Sequence, residues 1–273
     1  MQRAGCSLAT IAIAVFFPGA VPVAAETAKI YTEDAATAGA GVVEFELTAS
    51  HTRRDLRFED SGEQGRKGEA RAWLWELAFS YGLSESLDLG VGLSWEDLHE
   101  NGGDPSAGDG FGDSFAALKW NFGRLGRWDL GYVGGLTLPT GDEGDERDLG
   151  PGTGLTTLDQ LFVGTLEAAQ WTLSADAGLA LPINENRHGE RTSWLADFAA
   201  GWQVREPLQL LAELNYRRDE TENDGDAEIL AVTAGFTWQL NEIFRVDVSA
   251  THGVWGDQAS STRAARLNLL GAL

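Results

Sequence analysis

The chain has 273 residues, with 42 acidic against 20 basic side chains and a formal net charge of −22. That balance makes nucleic acid and anionic lipid poor partners for the molecule as a whole. It has one cysteine, Cys6, so a disulfide framework is excluded.

The N-terminus reads as an export signal. Arg3 supplies a positive start, Leu8 to Phe17 is an apolar run too short to span a bilayer as a helix, and Val23-Ala24-Ala25 offers small residues for cleavage before Glu26. The alternative is an uncleaved anchor. Cys6 precedes the apolar run rather than following it, which argues against lipidation. Cleavage leaves 19 basic residues against 42 acidic ones, a net of about −23, and no cysteine. The organisation expected is a signal peptide over 1–25, a polar segment on the periplasmic side over 26–40, and one barrel domain over 41–273. The polar segment has two open paths: it stays in the periplasm, or it folds into the lumen.

From residue 43 the pattern has period two, the signature of strands with one apolar face. Val43, Phe45, Leu47 and Ala49 share a face against Glu44, Glu46, Thr48 and Ser50. Trp73, Trp75, Leu77, Phe79 and Tyr81 do the same, as do Leu87, Leu89, Val91, Leu93 and Trp95. Further strands are expected at roughly 113–122, 128–138, 158–168, 171–181, 193–204, 208–217, 229–240, 244–253 and 263–273. The segment 158–168 permits either parity. The connections alternate between tight turns and long charged loops, the latter at 52–69, 97–110, 139–157, 184–192 and 218–227. Short turns on one side and long loops on the other are the habit of an outer-membrane barrel.

The tryptophans agree. Nine of the ten lie on the apolar face of their strand, with Trp255 the exception. Threading the chain up and down puts Trp73, Trp75, Trp95 and Trp194 at the long-loop end. Trp120, Trp128, Trp171, Trp202 and Trp238 fall at the short-turn end. Two aromatic bands suit the two headgroup interfaces. The fold expected is all-β: a closed antiparallel transmembrane β-barrel of about twelve strands, with short periplasmic turns and long acidic extracellular loops. It sits in the outer membrane of a Gram-negative bacterium.

The polar face then points into the lumen. It carries Glu44, Glu46, Glu76, Asp88, Glu96, Asp113, Asp129, Asp176, Asp197, Glu213 and Asp247, against Lys119, Arg217, Arg245 and Arg266. An isolated charge in a dry interior is very costly. One reading is a wet, acid-rich pore that concentrates cations. The other is a narrow barrel plugged by ion pairs. Four bases cannot pair eleven acids, which favours partial hydration. Glu44, Glu46, Glu76, Asp113, Glu213 and Arg245 are the expected pore-lining residues.

The segments GFGDSFAALKWNF (from Gly110), LTLPTGD (from Leu136), GPGTGLTTLDQ (from Gly150) and LQLLAELNY (from Leu208) resemble the outer-membrane proteins of the phenol meta-pathway type. In that family a Gly-Asp opens a downward strand, a Leu-Pro-Thr-Gly-Asp ends an upward one, and a Glu sits in a later strand. Gly112-Asp113, Leu138 to Asp142, Gly152 to Asp159 and Glu213 match those places. The resemblance implies a membrane barrel passing small aromatic or hydrophobic compounds. Pro139 has a physical reading of its own: it cannot donate to a ladder and ends the strand.

Other chemistry was weighed. The acidic runs 142–148 and 219–226 carry carboxylates but lack the register of a calcium loop. They read as solvated loops facing lipopolysaccharide, or as loops bridged to lipid phosphates by divalent cations. His51 and His252 lie on the outward parity near the loop end, close to Ser260 and Ser261, so an outer-wall lipid hydrolase is a third reading. No G-x-S-x-G motif supports it. His99 and His188 are single loop residues, too few for a metal. No cofactor, metal or catalytic residue is expected. The partners expected are outer-membrane lipid, lipopolysaccharide and a small-molecule solute. A non-conducting adhesive barrel is the remaining alternative.

Overall fold

The computed structural model describes residues 30–58, 64–101, 106–144, 149–184, 190–221 and 226–273. The strands are β1 (Val43–Phe58), β2 (Gln64–Ser84), β3 (Leu87–Asn101), β4 (Ser106–Phe111), β5 (Ser114–Leu125), β6 (Trp128–Leu138) and β7 (Thr157–Ala168). They continue as β8 (Trp171–Pro182), β9 (Glu190–Arg205), β10 (Leu208–Thr221), β11 (Ala227–Gln239), β12 (Phe244–Asp257) and β13 (Ser260–Ala272).

Chain neighbours pair antiparallel except β4 and β5, which both pair with β3, and β1 also pairs with β13, from Glu44 opposite Ala272 to Arg57 opposite Ser260. Val43 and Leu273 exchange backbone bonds of 3.0 and 2.8 Å, so pairing runs to the last residue. Closure leaves neither terminal strand with an open edge. Thirteen strand segments make twelve crossings, because β4 and β5 are two pieces of one. The upper half of β3 pairs with β4, from Trp95 opposite Phe111, and the lower half with β5, from Gly92 opposite Phe115.

The alternation sorts the wall as a membrane barrel requires. Leu47, Phe79, Leu89, Val91, Leu93, Phe162, Phe198 and Leu214 are exposed on the outside, whereas Glu44, Glu46, Asp88, Lys119, Asp176, Glu213, Arg245 and Asp247 are buried inside. Parity in β7, open in the sequence, resolves with Leu158 and Phe162 outward and Asp159, Val163 and Thr165 inward.

Three expectations change. The strand pattern was cut short at the top: β1 runs to Phe58 and β3 to Asn101, so much of the expected loops at 52–69 and 97–110 is ladder. Trp255 does face outward, 39 % exposed, because Leu230 pairs Trp255 while Ala231 pairs Gly253. Val254 is the extra residue, and a one-residue bulge inverts every face beyond it. The polar N-terminal segment takes the path into the lumen, over all of its described residues from Ile30.

Candidate functional site: a lumen closed by its own N-terminal segment

Ile30 to Val42 form no strand before β1, and an irregular chain inside a barrel needs partners for every backbone N–H. The inward carboxylates supply them. Glu213 on β10 accepts from the amides of Ile30 (2.6 Å), Tyr31 (2.9 Å) and Thr32 (3.4 Å). Asp176 on β8 accepts from the Glu33 amide at 2.6 Å, and Thr165 on β7 from the Ala35 amide at 3.0 Å. Asp88 on β3 accepts from the Ala38 amide at 2.8 Å. The Asn121 side chain on β5 donates to the Ala35 carbonyl at 2.9 Å. The segment is thus pinned to β3, β5, β7, β8 and β10 in turn, crossing the lumen near its short-turn end.

Side chains add a second layer. Lys119 on β5 reaches Asp34 at 2.9 Å and Glu33 at 3.4 Å, all three buried. Tyr31 lies under the Arg266 guanidinium at 5.4 Å, and Ile30 packs on Leu211. The small inner residues make room for the segment. A methyl group built on Gly82 would sit 1.8 Å from the Gly39 carbonyl oxygen, and one on Gly235 would meet Ile30 at 2.8 Å.

The expected pore-lining residues take these places. Glu44 accepts from Ser80 Oγ at 3.2 Å. Glu46 lies 3.5 Å from Arg266 and accepts from Thr48. Arg245 lies 3.2 Å from Asp247. Glu76 pairs with Thr48 in register on the inner face and is half-buried. Glu213 holds the N-terminal segment. Asp113 has a different setting, at the break between β4 and β5. It accepts from the amides of Gly141 (3.0 Å) and Thr153 (2.8 Å) and from the Thr153 hydroxyl.

The break collects three of the resembling motifs. β6 stops at Leu138, before Pro139, and among the described residues β4 has β3 as its only strand partner. The chain after Pro139 folds over β4 instead: Leu149 donates to Ala107, and Gly152 to Asp142 at 2.7 Å. Gly141, Gly112 and Gly152 approach so closely that a methyl on Gly141 would lie 2.7 Å from Gly112 and 2.8 Å from Gly152. Asp113 therefore clasps a loop to the wall.

The lumen wall also carries an apolar cluster of Ala78, Phe115, Ala117, Val133 and Val163, with Leu161 against it. Sequence reasoning listed Asp88, Asp176 and Lys119 as inward but did not single them out. It did not find Thr165 or Asn121, because a neutral residue carries no charge signal.

The alternative chemistry fares as follows. Ser261 is buried and its hydroxyl donates to the Gly253 carbonyl at 3.4 Å, while the His51 ring lies against Trp73 at a tilt, with ring centres 4.6 Å apart. His99 contacts Asp97 at 3.0 Å. Among the described residues no three His, Cys, Asp or Glu side chains converge as metal ligands. His188 and most of the acidic runs 142–148 and 219–226 lie outside the described residues.

A closed twelve-crossing barrel, apolar outside, with aromatic bands and a charged interior, is an outer-membrane β-barrel protein. The chain belongs to the family described as "Putative MetA-pathway of phenol degradation", whose model matches residues 37–269. Among solved structures it is similar to the COG4313 outer membrane channel from Pseudomonas putida F1, at 13% identity and a TM-score of 0.79, covering 90% of this chain and 100% of that one. The translocator domain of the autotransporter NalP from Neisseria meningitidis aligns with a TM-score of 0.54 at 12% identity, over 85% of this chain and 88% of that one. The NanC porin aligns at 0.51 and 7% identity, over 82% and 98%. No curated protein matches the sequence.

Proposed function

We propose that this barrel is an outer-membrane channel for small solutes, of the aromatic or hydrophobic class, kept closed by its own N-terminal segment. The observation that carries the reading is the set of inward carboxylates whose hydrogen bonds hold a removable, irregular peptide rather than a packed core. Charge in a dry interior is costly unless it is paired, and here part of the pairing comes from backbone amides of the N-terminal segment. The similarity to the Pseudomonas channel supports transport, and a family description that names phenol degradation fits an aromatic solute. The apolar cluster around Phe115, Val133 and Val163 offers a contact surface for an aromatic ring.

Release of the segment exposes Glu213, Asp176 and Asp88 to water. The opened lumen, with Glu44, Glu46 and Glu76, then favours cations over anions. Arg245 tempers that preference.

The test is single-channel conductance of the refolded chain in a planar bilayer under a salt gradient. Discrete steps with a cation-directed reversal potential are expected. Replacing Glu44, Glu46 and Glu213 together by Gln lowers that selectivity. A folded barrel with no steps, before and after deletion of residues 30–40, rejects an axial channel. It would leave the wall break at β4 as the route for a hydrophobic solute.

A further inference from the structure

Five consecutive outer-wall strands place a basic side chain in one register row. His252 on β12 pairs with Arg263 on β13, Arg263 with Arg53 on β1, Arg53 with Arg71 on β2, and Arg71 with His99 on β3. All five are exposed. In a chain of net charge −22 this is a local concentration of basic side chains, met by Asp55, Glu69 and Asp97 beside it. The row lies next to the upper aromatic band: the His51 ring lies tilted against Trp73, and Trp73 stacks on Trp75 at 6.5 Å. An outward arginine costs about 2–4 kcal/mol at the bilayer midplane and little at the interface. The row therefore belongs in the outer headgroup layer.

Neighbouring like charges across strands repel, and the protein answers this incompletely. Three guanidiniums share two carboxylates among the described residues. Glu69 Oε1 lies 2.9 Å from Arg53 and 2.7 Å from Arg71, and Asp55 Oδ2 lies 3.6 Å from both Arg53 and Arg263. Asp97 is turned to His99. Arg71 meets its carboxylate through Nε, and Arg263 through Nη1 alone. A guanidinium has five N–H donors in a planar fork that matches phosphate. Arg218, on β10 two strands from β12, is by contrast held by Asp226 at 2.6 Å and Glu228 at 3.4 Å.

We propose that Arg53, Arg71 and Arg263 form a binding site for the phosphates of lipid A in the outer leaflet. The guanidinium forks bind the phosphates, and His51, Trp73 and Trp75 below them contact the start of the acyl chains. Glu69 and Asp55 hold the forks in place between lipid encounters. The proposal does not depend on whether the lumen conducts.

The experiment uses the refolded full barrel in detergent with EDTA present, and counts bound lipid by native mass spectrometry. The probes are bisphosphorylated lipid A, the same lipid A without phosphates, and phosphatidylglycerol. The bisphosphorylated form is expected to bind at least about tenfold tighter than the other two. Arg53→Gln, Arg71→Gln and Arg263→Gln together remove that advantage and leave dephosphorylated lipid A unchanged. Arg218→Gln alters neither. Three outcomes overturn the proposal: equal retention of the three lipids, full binding by the triple variant, or binding that vanishes in EDTA and so belongs to a carboxylate-held cation. Should the triple variant lose its heat-dependent gel mobility, the single variants are read instead. Each is then expected to weaken binding about threefold or more, and no change in any of them overturns the site.

Discussion

Glu213 sits on the inner face of β10, where alternation alone puts it, and yet it does not line an empty pore. Its carboxylate takes amide protons from Ile30, Tyr31 and Thr32. Bonds to a charged acceptor contribute about 1.5–3 kcal/mol each. Glu213→Ala removes three such bonds and is therefore expected to destabilise the closed state by roughly 4.5 kcal/mol or more, on the order of a thousandfold in population, and to appear as frequent openings in single-channel records. Unchanged gating would show that the other pins suffice. Lys119 makes the complementary case. Breaking a buried ion pair costs about 3–5 kcal/mol because it leaves a charge without its partner. Lys119→Met should thus free Glu33 and Asp34 from the wall, read as accessibility of a cysteine placed at position 36 to a water-soluble thiol reagent. Both side chains were legible as inward. Their partner was not. Weighing eleven acids against four bases assumed that only side chains neutralise carboxylates, whereas here the donors are backbone N–H groups. Every residue but proline carries such a donor, so composition cannot single out the ones that matter.

Among elements, the N-terminal segment and the β4–β5 break depart furthest from regular ladder. Deleting residues 30–40 should leave a folded barrel with a conductance severalfold above the intact chain and a stronger cation preference, measured side by side in the same bilayers. Asp113→Ala removes three bonds to Gly141 and Thr153. Limited proteolysis between 139 and 157 should then run faster, while the barrel itself survives. Strand positions were well legible, because period two with an aromatic at each interface leaves little choice. What escaped was local counting. One extra residue at Val254 returns Trp255 to the lipid face. The ladder also climbs past the membrane to Phe58 and Asn101, where alternation no longer has to be apolar and the pattern fades. The meeting of Gly112, Gly141 and Gly152 depends on a close approach between segments distant in sequence, which a single chain's pattern does not announce.

For the whole molecule, closure is the governing constraint. β1 and β13 exchange bonds from Val43 to Arg57, and without that seam both strands expose unpaired backbone to hydrocarbon, at several kcal/mol per group. Removing residues 264–273 should abolish the heat-dependent gel shift altogether, in contrast to removal of 30–40. The acidic excess, −22 overall, argues against a generally anion-binding surface. It could not reveal that registry gathers Arg53, Arg71 and Arg263 from strands at opposite ends of the chain.

The tether between Val42 and the wall has a kinetic meaning. A peptide that leaves its carboxylates remains joined to β1, so it returns at an effective concentration in the millimolar range. Any solute that occupies the lower lumen is therefore a competitor against a permanently attached inhibitor. Its apparent affinity is weakened by that competition, and it is expelled when the segment rebinds. A synthetic peptide copying residues 30–40, added to the deletion variant, should re-close the channel only near such millimolar concentrations. The same arithmetic makes the protein's resting leak small without demanding a tight plug.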